Sequence, residues 1–205
     1  AAELRRNSAH ITKVFDSFAA APEGEYSRLE KNPVTPVPFS HSFELRNISY
    51  TYPSATRPAL NNINLSIKKG ERVGFVGMSG AGKSTLLDVI LGLLSPSVGE
   101  VLADGKNILE NLESWQATIG FVPQDVFLLD DTIINNVAFA VPVEEINLNQ
   151  VNTCLKLAKL DKFIDTLPLR ENTVIGENGA RISGGQKQRL AIARALYPSP
   201  QILIF

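Results

Sequence analysis

The sequence has one cysteine, no long apolar run and no excess of either charge. A single cysteine excludes a disulfide framework, and the apolar helical pattern around Cys154 predicts an inert, buried thiol. The longest apolar stretch, residues 86–94, is interrupted by Asp88 and Gly92 and falls far short of the roughly 18 residues that a membrane span needs. With 20 basic and 21 acidic residues, the formal charge of -1 gives no reason to expect a nucleic-acid partner.

The ends of the chain also lack features. The sequence begins without a methionine, and no secretory signal pattern opens it, so we expect these residues to face the cytosol. It ends with "YPSPQILIF", a turn followed by an apolar run that no further turn closes. We therefore expect a fragment of a longer protein.

Residue patterning divides the chain into three parts. Residues 1–21 place their apolar side chains on one helical face, which predicts an amphipathic helix. Residues 22–39 contain four prolines and several charges, which predicts an extended linker. Residues 40–205 alternate strand and helix patterns, so we expect them to form the folded domain.

Strand patterns dominate the first half of this domain. "FELRNISYTY" alternates with a phase slip near Asn47, and "INLSI" follows it, which predicts two half-buried strands in an antiparallel pair. "RVGFVG", residues 72–77, predicts a fully buried parallel strand before a helix that begins near Lys83. "EVLA" leads into the Asp104-Gly105 turn, and "TIGFVPQ" predicts another buried strand.

Helical spacing dominates the second half. Residues 130–170 carry few strand signals, which predicts a mostly helical insertion. A further helix follows Ser183, with apolar residues spaced to pack on neighbouring elements, namely Leu190, Ala193, Ala195 and Leu196.

The segment "GMSGAGKST" fits the phosphate-loop pattern G-x-x-x-x-G-K-[ST] between a predicted strand and helix. Glycines let backbone N–H groups curl around phosphate oxygens, and the positive end of the helix adds a favourable field. Lys83 can neutralise the β- and γ-phosphates, and the Ser84 hydroxyl can ligate Mg2+. The predicted nucleotide-binding residues of the loop are Gly77, Ser79, Gly80, Ala81, Gly82, Lys83, Ser84 and Thr85.

A second glycine motif, Ser183-Gly184-Gly185-Gln186, precedes the last predicted helix. A serine cap followed by two glycines offers exposed N–H groups to an anion. A capped surface helix without a ligand is the alternative interpretation.

The phosphate loop, "FVPQ" ending at Gln124 and "ISGGQKQR" in this order resemble the nucleotide-binding domain of ABC transporters. Ile182 replaces the leucine of the usual LSGGQ signature, and the resemblance covers about residues 43–205. It implies an α/β fold: a P-loop NTPase sheet with flanking helices, an N-terminal antiparallel β part, a helical signature subdomain at about 126–196, and a missing C-terminal part.

The resemblance also implies roles for single residues. Tyr52 would stack on adenine, with Tyr50 as its competitor and core packing of both rings as the alternative. Gln124 would approach Mg2+ and the attacking water and sense the membrane domain. Ser183, Gly184, Gly185 and Gln186 would contact the γ-phosphate held by a second nucleotide-binding domain, in a homodimer or a heterodimer.

Residues 173–179, "TVIGENG", resemble a segment typical of exporters, in which Glu177 would couple ATP to the membrane domain. A solvated loop acid is the alternative for Glu177. Residues 1–21 would then resemble the cytoplasmic end of a preceding transmembrane domain. The resemblance thus implies an exporter motor on the cytoplasmic face of the cell membrane, the inner membrane in a bacterium.

Residues 202–205 match the four apolar residues of the family's Walker B strand, whose Asp and catalytic Glu would lie beyond Phe205. His10 and His41 do not match the family's switch histidine. Asp130 and Asp131 are predicted as an N-cap and a first-turn charge, and no spacing aims Asp125 at a phosphate.

The intact parent is therefore predicted to be an ATPase that uses ATP and Mg2+, whereas this chain is predicted to bind ATP and hydrolyse it poorly. A soluble ABC-type ATPase without a membrane partner, and a regulatory module that senses ATP, are the alternatives.

Overall fold

The computed structural model describes residues 39–53 and 55–205. The predicted helix at 1–21 and the predicted linker at 22–39, apart from Phe39, lie outside the described residues. The strands and α-helices in chain order are β1 (Ser42–Tyr50), β2 (Leu60–Lys68), α1 (Lys83–Ile90), β3 (Val98–Ala103), β4 (Lys106–Asn107), α2 (Leu112–Gln116), β5 (Ile119–Phe121), α3 (Ile133–Val137), α4 (Leu148–Leu157), α5 (Asp161–Asp165), α6 (Gly184–Leu196) and β6 (Ile202–Ile204). Short 3₁₀ helices cover Ile108–Asn111, Val143–Glu145, Arg170–Asn172 and Glu177–Gly179.

Four strands form an antiparallel sheet in the order β2-β1-β3-β4. The predicted phase slip near Asn47 is confirmed as a register shift between Leu45 and Ile48, where Asn47 adopts a φ of 53°. An extra residue in one strand reverses which face the following side chains occupy. Leu45 and Ile48 consequently both lie in the core, although they are an odd number of residues apart.

The predicted turn at Asp104-Gly105 is also confirmed, and both residues have positive φ, 48° and 77°. The Asp104 carboxylate accepts hydrogen bonds from the backbone N–H groups of Ser40, His41 and Ser42. Partial burial raises the pKa of this carboxyl, but the N–H donors outweigh it and hold the pKa below its usual 3.8. The turn therefore fastens the start of β1 to the β3–β4 hairpin.

A second, parallel sheet pairs β5 with β6. The prediction of a fully buried strand at residues 72–77 is wrong. These residues are not in a strand, and Val76 is 99% exposed. A buried parallel strand needs a hydrogen-bonded neighbour and cover on both faces, and among the described residues no strand pairs with this segment.

The antiparallel sheet packs against α1 and α2 to form the first core. The ring of Trp115 in α2 stacks on Phe43 with centroids 5.4 Å apart, and its Nε1–H donates to the Ile90 carbonyl at 2.8 Å. The buried members of the first core are Phe39, Phe43, Leu45, Ile48, Leu60, Leu86, Val89, Ile90, Val101, Ile108 and Trp115.

The later helices form the second core. Cys154 is buried there, which agrees with the predicted core thiol, and burial raises its pKa. The buried members of the second core are Leu128, Ile133, Ile134, Val137, Ala138, Val151, Cys154, Leu155, Ala158, Leu160, Ile164, Ile175, Leu190, Ala193 and Tyr197. A small third cluster of Val122, Ala191 and Ala195 lies between β5 and α6.

The predicted fold class is confirmed: an α/β chain with an antiparallel β part, a parallel pair and a helical part that contains the signature helix. The domain boundaries at residues 40 and 126–196 stay predictions. Within residues 39–53 and 55–205, no helix combines the length and the hydrophobicity that a membrane crossing requires.

Candidate nucleotide-binding site

The phosphate loop folds back over its own lysine. Lys83 is the first residue of α1, and its Nζ donates to the carbonyls of Gly77 and Met78 at 2.8 Å each. Gly82 caps the helix with a φ of 86°, and a Cβ on it would lie 2.5 Å from the Ala59 carbonyl oxygen. Only glycine fits this position without strain, because both the backbone angle and the close approach exclude a side chain.

The start of α1 is free of competing negative charge. Its first turn contains no acidic residue, and no side chain caps its N-terminal N–H groups. The Ser84 hydroxyl lies on an exposed residue, whereas Thr85 is only 6% exposed. Exposed N–H groups, a helix dipole and one lysine suit a phosphate, and the Ser84 hydroxyl is the oxygen on this turn that can meet Mg2+.

Tyr52 lies directly after β1 rather than on it, next to the phosphate loop. Its hydroxyl is 3.1 Å from Thr85 Oγ1, and its ring stands perpendicular to that of Tyr50 with centroids 5.0 Å apart. Tyr52 is 39% exposed, whereas Tyr50 is half-buried against the first core. Of the two candidates, Tyr52 thus presents more ring surface to a ligand.

Gln124 is exposed in the loop after β5. It lines an open hollow of about 330 Å³ together with Asp125, Val126, Asn178, Gly184, Lys187 and Gln188. The fold therefore brings the predicted Q-loop glutamine beside the first turn of the signature helix of the same chain.

The signature residues form a reciprocal cap on α6. Ser183 Oγ accepts from the Gln186 N–H at 3.3 Å, and Gln186 Oε1 accepts from the Ser183 N–H at 2.7 Å. Added Cβ atoms on Gly184 and Gly185 would meet open space within 4 Å. Packing inside the chain therefore does not require these two glycines, which leaves room for a ligand to approach the backbone.

The described hydrogen bonds and ion pairs do not join Ser183–Gln186 to the phosphate loop. The two glycine motifs also border different cores, since Leu86 of α1 belongs to the first and Leu190 of α6 to the second. The chain thus keeps its two predicted anion-binding ends apart.

Glu177 is exposed in a tight 3₁₀ turn between Gly176 and Asn178, whose φ values are 77° and 48°. The preceding segment is held against the start of α3 by the Thr132–Val174 bridge. The loop that carries Glu177 is therefore held in place by this bridge. The Glu177 side chain takes part in none of the described hydrogen bonds or ion pairs.

The acids before α3 are placed differently from the prediction. Thr132, not an aspartate, is the N-cap, and its side chain accepts from the Asn135 N–H. Asp131 instead accepts from the Thr132 N–H and from the Asn135 side chain. The hydroxyl of Thr132 reaches the third residue of the helix, so the aspartates stay outside it. His41 is exposed before β1, and His10 lies outside the described residues.

The sequence patterns missed Arg194, near the end of α6. Its guanidinium donates to the carbonyl of Phe127 at 2.7 Å and to the carbonyl and side-chain oxygens of Asn136 at 2.8 and 2.9 Å. It also lies over the ring of Phe139, 4.9 Å from the centroid, and burial lowers its pKa. The sequence signal that could have identified Arg194 was a single arginine on the apolar face of the predicted last helix. Arg194 fastens the segment after Gln124 to the signature helix.

Known proteins share this arrangement. A model of the ABC transporter family matches residues 60–205. The chain is 44% identical over 207 residues to ABC transporter B family member 29, chloroplastic, from Arabidopsis thaliana, a match that covers 98% of the chain and 32% of that protein. It is 43% identical over 162 residues to the ATP-dependent lipid A-core flippase of Escherichia coli strain K12, covering 78% of the chain and 28% of the flippase.

A solved structure of a bacterial Atm1-family ABC exporter with ATP bound aligns with a TM-score of 0.77 and 33% identity, over 97% of the chain and 34% of the exporter chain. The chain thus spans about a third of the length of these relatives. Since the family model matches most of the described residues and includes both glycine motifs, the chain belongs to the ABC transporter family.

Proposed function

We propose that the chain is the nucleotide-binding part of an ATP-driven exporter and that it holds Mg-ATP on residues 77–85. The observation that carries the proposal is the placement of Lys83. An ammonium group has three N–H donors, and the loop carbonyls of Gly77 and Met78 accept two of them. Among the described residues no carboxylate pairs with Lys83, so its charge is available to an anion.

The remaining loop residues support the same ligand. Gly77, Ser79, Gly80, Ala81 and Gly82 would offer backbone N–H groups to phosphate oxygens. The Thr85 backbone continues the first turn of α1, the Ser84 hydroxyl would hold Mg2+, and the exposed ring of Tyr52 would receive the adenine. Bound Mg2+ supplies positive charge to the phosphates.

We further propose that Ser183, Gly184, Gly185 and Gln186 meet the nucleotide of a second such domain. The open space above the two glycines and their separation from the chain's own phosphate loop support this pairing. Each nucleotide would then lie between two domains, identical or homologous, with Gln124 close to both the γ-phosphate side and the signature helix.

The export role rests on the relatives, which are described as a flippase and an exporter. A transmembrane domain of the same transporter would be the partner, with Glu177 on the contact and the motor on the cytoplasmic face of the membrane. We propose slow ATP turnover by these 205 residues. Asp131 is engaged by the Thr132 N–H and the Asn135 side chain, and Asp125, the acid that lines the hollow with Gln124, has no spacing that aims it at a phosphate.

The test is Mg-ATP affinity, measured by calorimetry, for the unchanged chain, Lys83→Ala and Lys156→Ala. Lys156 is an exposed lysine on α4, so its removal is the matched loss of one charge away from the loop. We expect Lys83→Ala to weaken binding by about 10- to 100-fold, because it removes a charge-assisted contact, and Lys156→Ala to leave it unchanged. Equal affinity of all three proteins would refute the phosphate site.

A further inference from the structure

The C-terminal end of α1, opposite the end that follows the phosphate loop, is held by side chains of α2. Trp115 Nε1–H donates to the Ile90 carbonyl at 2.8 Å, and the Gln116 amide donates to the Leu91 carbonyl at 3.1 Å. The last carbonyls of a helix have no partner within the helix itself. Two consecutive residues of α2 therefore supply donors that α1 lacks.

Packing at the same point leaves the end of α1 little room to shift. Gly92 follows the helix end with a φ of 71°, and a Cβ on it would lie 2.2 Å from Leu112 Cδ1 at the start of α2. Only glycine allows the two helices to approach this closely. Trp115 is buried, so its bond to Ile90 is shielded from water. Leu112, Trp115 and Gln116 together form what we call the α2 socket.

The residues after the α2 socket connect it firmly to Gln124. Thr118 Oγ1 donates to the Trp115 carbonyl at 2.6 Å, and the Thr118 carbonyl accepts from the N–H groups of Gln201 and Ile202. β5 then pairs in parallel with β6, and Gln124 follows β5 by three residues. Gln124 is thus carried just beyond a paired strand whose start is tied to the α2 socket.

We propose that Trp115 and Gln116 are positioning residues that hold the phosphate loop in register with Gln124. This inference rests on the proposed nucleotide site. α1 carries Lys83 and Ser84 at one end and enters the α2 socket at the other, and a helix of its eight residues is about 12 Å long. A tilt of α1 at the α2 socket would therefore move the first turn of α1 relative to Gln124.

The proposed ligand gives this role a distinctive signature. Lys83 and the N–H groups of the loop can bind phosphate with or without a metal, because they belong to one local segment. Ser84 and Gln124 come from different segments and are both proposed to meet Mg2+, which demands near-ideal geometry. Loosening the α2 socket should therefore weaken the Mg2+-dependent part of ATP binding and spare the rest.

The experiment measures ATP affinity by calorimetry, once with Mg2+ and once with EDTA in its place. The variants are Trp115→Phe, which keeps a ring and loses the N–H donor, Gln116→Met, which keeps the length and loses the amide, Gln124→Ala, and the Gln116→Met/Gln124→Ala double variant. Gln150→Met is the matched control, because the Gln150 amide also donates to a backbone carbonyl, that of Tyr197 in the second core.

We expect Trp115→Phe to weaken Mg-ATP binding by about 3- to 10-fold and Gln116→Met by about 2- to 5-fold, because the first bond is buried and the second only partly so. Without Mg2+, both variants should bind ATP within about twofold of the unchanged chain. The double variant should lose no more than Gln124→Ala alone, because the α2 socket acts through Gln124. Gln150→Met should bind ATP normally under both conditions.

Three outcomes overturn the inference: equal weakening with and without Mg2+, additive losses in the double variant, or no loss in either α2 socket variant. Gln116 is exposed, so the Gln116→Met result decides even if Trp115→Phe fails to fold. Where metal-free binding is too weak to measure, the double variant decides. If the unchanged chain binds no ATP, the proposed function fails. If it binds ATP and Lys83→Ala does not, that function holds whatever the α2 socket variants show.

Discussion

The first and second cores are both apolar, but they support different parts of the site. The first core packs one sheet on two helices and borders the phosphate loop and Tyr52. The second core is helical and anchors the signature helix through Leu190 and Ala193. Each core therefore supports one of the two predicted anion-binding ends.

The connection between the two cores is small by comparison. The third cluster contains three buried residues, and Val122 of that cluster lies two residues before Gln124. Arg194 holds the segment after Gln124 to α6 through the Phe127 carbonyl. Gln124 thus lies close to the third cluster and to the first turn of α6. Three predictions test this division, from the largest expected effect to the smallest.

Replacing Arg194 with Met should destabilise the chain by about 2–4 kcal/mol, because the carbonyls of Phe127 and Asn136 lose their donor in a partly buried site. Asn136 Oδ1 also loses one donor but keeps the Leu129 N–H. Urea unfolding measures the loss. Arg189→Met is the matched control on α6, since Arg189 is exposed and makes one long bond. Similar midpoints for the two variants would show that the Arg194 bonds to Phe127 and Asn136 do not stabilise the second-core region.

Val89 and Val151 form a matched pair, since both are fully buried helical valines, one in each core. Each change to Ala should cost about 1–3 kcal/mol through lost burial and a small cavity. Val89→Ala should speed amide exchange in α1 and weaken Mg-ATP binding, whereas Val151→Ala should speed exchange in α4 and leave binding unchanged. Identical exchange patterns would show that the two cores behave as one unit.

Asp104 gives the smallest expected effect, confined to the first core. Its folded-state pKa is lowered, so its contribution to stability is present above the unfolded pKa and is lost as the pH falls through the folded value. We expect Asp104→Asn to lower stability at pH 7 by less than about 1 kcal/mol, because the group is largely solvated. In thermal melts, the difference from the unchanged chain should vanish at acidic pH, once the pH has fallen through the folded-state pKa. A difference that persists there would assign the effect to packing.

Local signals in the sequence were sufficient where short-range geometry decides the structure. The slip at Asn47, the Asp104-Gly105 turn and the Ser183 cap each depend on a few neighbouring residues. The phosphate-loop pattern was recognisable in the same way, because its glycines and lysine are adjacent in the sequence, and nucleotide binding by it stays a prediction.

Features that depend on distant residues could not be predicted in this way. Residues 72–77 are apolar enough for a buried strand, but burial requires a paired neighbour that their own sequence does not specify. Asp130, Asp131 and Thr132 precede α3, and each residue type can cap a helix. The backbone geometry selects Thr132 as the N-cap. Arg194 and the Tyr52–Thr85 bond join segments 33 or more positions apart, which no periodicity encodes.

Trp115 is the single tryptophan of the chain. Its stacking on Phe43 and its bond to the Ile90 carbonyl place it wholly within the first core, next to the helix that carries the phosphate loop. Tryptophan fluorescence, excited at the red edge of protein absorption, therefore reports on the first core and not on the second. Set beside far-ultraviolet circular dichroism, which weights the helices of the second core, this emission gives the chain a built-in optical reporter that follows the two regions separately without any label.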